Sequence, residues 1–347
     1  MTVISKEDAN MRKGIVGAGN LIVDKIKVID RWPGEGNLCN ITSTVSSAGG
    51  GPCNILFDIA AADPEIPLYV AGRIGNDADG DYLVKVISEH GVDSSSLIRS
   101  TTAPTSYTDV MSGGGNRTFF HCRGASAELS VEDLLKVDVP AKFFYLAYLL
   151  LLDSLDALDA NGEPAAKQAL RALRRKGYKT VVDFVSEAPE KFRRTVLPSL
   201  PEIDILIVNE LEGACCSGIE ARTGDGKLRA DNLPAIVDFL FEKGVNDTVV
   251  IHFPEGAVGR TRDGKYIATP SCYIKHEDIV GSNGAGDAFA AGVMYALHEG
   301  WDLERAMKLG SAFSNFNLRS VTTTEGAVSL KTMLEFLESC KYNPIPR

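Results

Sequence analysis

Three short β-branched runs, KTVVDF (179–184), IDILIVN (203–209) and DTVVIHF (247–253), follow one another with helical stretches between them. Few folds accept that alternation. Short strands separated by helices pair in parallel, and a parallel sheet must be covered on both faces. The same rhythm holds upstream. GIVGAG (14–19) is a short apolar strand ending in glycines, NILFDIAAA (54–62) has helical composition, and PLYVAGRIG (67–75) returns to a strand. DGDYLVKVISEHG puts Leu83, Val86 and Ile87 on one helical face and stops at Gly91. The expected fold class is α/β, a central mostly parallel sheet flanked by helices, with ligands at the carboxyl ends of the strands.

Two segments break the rhythm. LCNITSTVSSAGGG (38–51) and TSYTDVMSGGGNRTFFHCRG (105–124) are rich in Thr, Val, Ser and Phe, and the second carries a Gly-Gly-Gly-Asn turn between strand-like runs. They predict a small β-sheet over 38–48 and 105–123, inserted in one domain of 13–340.

Charge and composition remove several classes of function. A formal charge of −10 with no Lys/Arg cluster argues against nucleic acid. The longest apolar run, FFYLAYLLLL (143–152), is too short to span a bilayer and is expected in the core. The opening MTVISKEDANMRKG has no apolar leader region. Seven scattered cysteines form no paired spacing, so a reduced, cytoplasmic setting is expected.

The chain has no P-loop, no G-x-S-x-G elbow and no H-E-x-x-H, and its five histidines share no metal-ligand spacing. Gly17-Ala-Gly19 begins like a dinucleotide fingerprint, but Ile22 stands where the third glycine belongs.

The stretch Gly281-Ser282-Asn283-Gly284-Ala285-Gly286-Asp287 leads into an apolar helix. Glycines there let backbone N–H groups face a ligand, and the helix start adds partial positive charge. Asp287 is then either a capping acid or a base that takes a proton from an attacking hydroxyl. Further on the same theme, AGGGPCN (48–54) leads into a helix and Asp24 follows the first strand. Asp and Asn beside bare glycine backbone are turn chemistry or a grip for hydroxyls. In NELE, Asn209 and Glu212 form either a helix cap or a metal–phosphate site at a strand's carboxyl end.

Taken in order, Asp24, GGGPCN, RIGNDADGDYLVKVISEHGVD, NELE and GAGDAF resemble the ribokinase-like (PfkB) family of carbohydrate kinases, from about Gly14 to Ala327. The resemblance implies an ATP-dependent kinase that phosphorylates a hydroxymethyl group of a sugar or sugar-like substrate with Mg²⁺. Asp287 is then the general base, and Gly284, Ala285 and Gly286 form the anion hole. Asp24, Gly50, Gly51 and Asn54 hold sugar hydroxyls. Asn209 and Glu212 position magnesium and triphosphate, with the metal bound through water; Gly256, Ser282 and Asn283 belong to the nucleotide side. The small sheet becomes a lid over the sugar and, as in many relatives, a possible homodimer contact. Arg117 and Arg123 are either surface arginines flanking a turn or partners of an acidic sugar. The family pattern D-T-x-G-A-G-D is altered here: Gly281 replaces the acid that in relatives helps hold a monovalent cation, and Ser282 replaces threonine. Two other classes stay open, a sugar- or nucleotide-binding protein without turnover and an NAD-dependent oxidoreductase, the latter opposed by Ile22.

Overall fold

The computed structural model describes residues 13–114, 116–320 and 322–345. The opening residues 1–12, where no apolar leader was expected, and Gly115 of the expected hairpin turn lie outside the described residues. A nine-stranded sheet runs in the order β13-β12-β11-β10-β9-β8-β1-β4-β5. Its strands are β1 Ile15–Gly19, β4 Leu68–Gly75, β5 Asp93–Ser100, β8 Phe143–Leu149, β9 Lys179–Phe184, β10 Ile205–Asn209, β11 Thr248–Phe253, β12 Gly256–Thr261 and β13 Ile267–Pro270. From β11 through β5 every neighbour pairs in parallel; β12 and β13 add an antiparallel edge.

Alternate side chains of each central strand enter different cores, as the pleat requires. Ile15, Phe143, Tyr145, Val181, Ile205, Ile207 and Val250 pack on one face. There they meet helices α1 Gly51–Ala62, α2 Ala78–Glu89, α6 Ala285–His298 and α7 Leu303–Asn317. Val16, Phe144, Leu146, Val182, Leu206, Val208 and Ile251 pack on the other, against α3 Ala165–Arg175, α4 Glu210–Ser217 and α5 Leu233–Glu242. The near-continuous apolar runs of the sequence are this two-sided burial. No helix among the described residues is long and apolar enough to cross a membrane.

The second sheet has four strands in the order β3-β2-β6-β7: β2 Ile22–Ile29, β3 Ile41–Gly49, β6 Ser106–Gly113 and β7 Asn116–Cys122. Strand β2 is absent from the sequence-based expectation, and Leu38 to Asn40 lie in a loop before β3 rather than in the sheet. Because Ile22 opens a strand directly after β1, the turn after Gly19 leads into no helix, and a dinucleotide-binding βα unit is excluded there.

Candidate active site

Asp287 lies in the first turn of α6. Gly284 caps that helix at φ +76, a left-handed conformation that suits glycine, and a Cβ there would lie 2.9 Å from Thr323 Cβ. The Asp287 carboxyl is buried, yet both its oxygens have donors. Asn54 Nδ2 donates to Oδ2 at 2.7 Å; the Tyr148 hydroxyl lies 2.7 Å from Oδ1 and 2.8 Å from Oδ2. Burial pushes the Asp287 pKa up, and the bonds from Asn54 and Tyr148 pull it back.

Both donors are themselves held. Asn54 sits in the first turn of α1, which Gly50 starts at φ +87; a Cβ at Gly50 would come within 2.1 Å of the Asn20 carbonyl oxygen. Tyr148 donates its backbone N–H to Asn20 Oδ1 at 2.7 Å. Two residues later Leu150 takes φ +79, unusual for a residue with a side chain, and Asp156 accepts from the N–H groups of Leu150 and Leu152 at 3.0 Å each. Tyr148 was missed in the sequence. Its one local signal is a polar tip near the end of an apolar strand, a signal that Tyr145 in the same strand shares.

A cavity of about 210 Å³ opens over Asp287, lined by Asp24, Ser47, Gly50, Asn54, Tyr148 and Gly284, with Ile22, Ile26, Val110 and Phe119 also on its wall. The inner face of the small sheet is laid out in rows by strand register. Asp24, Ser47, Thr108 and His121 form a polar row nearest Asp287; Ile26, Val45, Val110 and Phe119 form an apolar row; Val28, Ser43, Ser112 and Arg117 follow. Burial raises Asp24 to about 6, a hydrogen bond from Thr108 opposes the rise, and the charge of Asp287 adds to it. Among the described residues no Lys or Arg lines this cavity. Gly51 underlies it instead of lining it: a Cβ there would lie 2.8 Å from Ala147 Cβ and 2.9 Å from the Tyr145 hydroxyl.

A second cavity, of about 600 Å³, lies on the other side of the glycine loop. Leu211, Phe253, Ile274, Ile279, Phe289 and Leu318 give it apolar walls, and Asn209, Gly256, Ser282, Ala285, Gly286 and Asn315 also line it. Apolar walls with a few convergent polar groups fit a nucleotide. Ser282 faces this cavity, whereas Asn283 lines the smaller one. His252 stands at the foot of the loop, where a Cβ on Gly286 would lie 3.1 Å from its ring; burial lowers its pKa to about 4, so it is neutral.

Asn209 and Glu212 form a reciprocal helix cap. Asn209 Oδ1 accepts from the N–H groups of Leu211 and Glu212 at 2.9 Å each, while Glu212 Oε2 accepts from Asn209 N–H at 3.0 Å. Ser186 donates to Glu212 Oε1 at 3.1 Å. Burial pushes the Glu212 and Asp183 carboxyls up, and the charge of Glu212 raises Asp183 further. This excess of negative charge suits a hard dication. Among the described residues no group of three His, Cys, Asp or Glu side chains is placed to hold a metal ion.

Arg123 is not brought to the cavity over Asp287. Its guanidinium pairs with Asp153 at 2.6 Å and Glu187 at 3.7 Å, beside a separate cavity that also includes Lys191 and Arg194. Arg117 does approach the loop: a Cβ at Gly281 would lie 3.5 and 3.7 Å from its terminal nitrogens, and 2.9 Å from Ser320 O.

Residues 15–329 match the family model described as pfkB family carbohydrate kinase. A 5-dehydro-2-deoxygluconokinase of Clostridium perfringens is 23% identical over 304 residues, covering 84% of each chain. A deoxyribokinase of Salmonella typhi is 22% identical over 320 residues, covering 92% of this chain and 97% of its own. In three dimensions the chain is similar to Arabidopsis thaliana ribokinase, solved with ribose and ATP, with a TM-score of 0.77 and 22% identity over 95% of this chain and all of that one.

Proposed function

The chain belongs to the pfkB family of carbohydrate kinases, and we propose that Asp287 is the base of its phosphoryl transfer, to a hydroxymethyl group of a neutral, hydroxyl-rich acceptor. It is an ATP-dependent carbohydrate kinase. The observation that carries the proposal is the position of one loop between two cavities. Ser282, Ala285 and Gly286 open to the larger, and Asn283, Gly284 and Asp287 open to the smaller.

The proposed step runs across that loop. The acceptor lies in the smaller cavity, where Asp24 and Asn54 take its hydroxyls. Asp287 removes the proton as the acceptor oxygen bonds to the γ-phosphorus, and the bond from phosphorus to the departing ADP oxygen breaks. Backbone N–H groups at the start of α6 then face the charge on the phosphoryl oxygens. Glu212 and Asn209 would hold a magnesium ion through water, and that ion would neutralise the triphosphate when bound. Neutrality of the acceptor follows from the lining: two carboxyls and no cation repel an acid. The apolar row of Ile26, Val110 and Phe119 suits the carbon face of a sugar.

We propose also that the small sheet closes over the acceptor, which keeps water from the phosphoryl group. Val28, Val45 and Phe119 on its inner face are 41%, 50% and 53% exposed, an apolar surface suited to closure or to a second copy of the chain. An ADP-release assay over neutral sugars, polyols, nucleosides and sugar acids tests the acceptor class. The expected turnover is with a neutral compound; turnover confined to sugar acids contradicts it.

A further inference from the structure

Asn54 and Asp58 both lie on α1, four residues apart, on one face of the helix. Both are buried, at 3% and 2% exposure. Asn54 spends its amide nitrogen on Asp287, which leaves Oδ1 turned into the protein without a hydrogen-bond partner. Asp58 Oδ2 is likewise buried and unpartnered. Two orphaned acceptors one turn apart are costly, since a buried polar atom without a partner has given up its bond to water for nothing. One proton removes both costs: a neutral carboxylic acid has an O–H to donate, and an amide oxygen is a good acceptor.

We infer that Asp58 is protonated in the folded protein and donates its O–H to Asn54 Oδ1, acting as a positioning residue for the Asn54–Asp287 pair. The consequence for Asp287 rests on its proposed role as base; the proton on Asp58 does not. An amide side chain has two orientations related by a half-turn. The alternative one would set Asn54 Oδ1 against the Asp287 carboxylate, acceptor against acceptor, and would withdraw a donor that favours the ionised base. A hydroxyl at Asp58 forbids it, because Asn54 must then present oxygen to Asp58 and nitrogen to Asp287. The environment favours the neutral acid: full burial drives the Asp58 pKa well above the usual carboxylate range, and the charge of Asp287 pushes the same way.

Asp58→Asn places an N–H donor where the O–H stood, and Asp58→Leu removes it at similar volume. In Asp58→Leu we expect kcat to fall about tenfold and the acid limb of its pH profile to move to higher pH, as Asp287 loses a steady donor. Asp58→Asn should restore both values. In an Asn54→Ala background, Asp58→Leu should move the acid limb no further. Infrared spectroscopy of wild type at pH 8 gives a readout independent of turnover: a carboxylic-acid C=O band that Asp58→Asn abolishes. Loss of no band in Asp58→Asn overturns the inference, as does an unmoved acid limb in folded Asp58→Leu. If Asp58→Leu does not fold, the infrared result decides. A band present while Asp287→Asn leaves the acid limb in place would refute the role of Asp287 as base and keep the proton on Asp58.

Discussion

Asp24 and Asp287 line the small cavity and Asp58 lies behind its Asn54, and each of these buried or half-buried carboxyls meets the cost of leaving water differently. Asp287 has two donors, Asp58 is assigned a proton, and Asp24 has a hydrogen bond from Thr108 that only partly offsets its burial. Asp24 is therefore expected to affect folding as well as its proposed acceptor binding. Its folded pKa, about 6, lies above the ordinary value of 3.8. A raised carboxyl pKa means that the folded state holds the proton more tightly, so the stabilising contribution is present below pH 3.8 and is lost as pH rises through about 6. At neutral pH the ionised group is a net cost. Asp24→Asn is expected to raise Tm by a few degrees, about 2–4 °C, at pH 7.5. The gap should narrow toward pH 5, while acceptor affinity falls and ATP affinity stays. Thermal melts at the two pH values, with calorimetric titration of each ligand, check it; equal loss of both affinities would point to a folding defect.

At the scale of elements, the small sheet and the glycine loop meet where Arg117 on β7 approaches Gly281. An acid at 281 would face that guanidinium; glycine leaves it without a carboxylate from the loop. A fixed positive charge beside the loop, with no carboxylate to hold a hard cation, leads us to expect activity in a large organic cation within about twofold of that in potassium at matched ionic strength, since nearby carbonyls alone are weak ligands. A strong potassium requirement would contradict this. The central strands were legible in the sequence because burial on both faces selects mostly apolar residues, many of them β-branched, as in the ILIV of IDILIVN. Strand β2 was legible only in part. Lys25 and Lys27 alternate with Ile26 and Val28, a fair strand signal, but the choice of sheet is set by pairing with β3 and β6, distant in sequence. Helix α1 was expected from its composition, and its start at Gly51 was not, because the left-handed turn at Gly50 is fixed by Asn20 across the fold.

Across the whole molecule, the chemistry gathers where the carboxyl ends of the parallel strands face the small sheet. Asn54 and Asp287 are separated by 233 residues and Tyr148 and Asp287 by 139, so no local pattern could announce their contacts. Singly, Asp24, Asn54 and Asp287 read equally well as turn or capping chemistry; it was their order along the chain that marked them as candidates. Tyr148 and Asp58 were not marked at all: one hides in an apolar, aromatic-rich strand, the other in an ordinary helix face, and only three-dimensional packing gives either a role. Arg123 was drawn toward the site by its nearness to the hairpin, and its ion pairs with Asp153 and Glu187 hold it elsewhere. The loop between the two cavities remains the centre of the account, and Asp287→Asn tests it most directly. With acceptor and ATP both saturating, kcat should fall by roughly 10²–10⁴-fold, the worth of a positioned base, while ATP affinity and Tm stay near wild type. A folded Asp287→Asn protein that turns over at close to the wild-type rate would reduce this carboxyl to a helix cap and contradict the account.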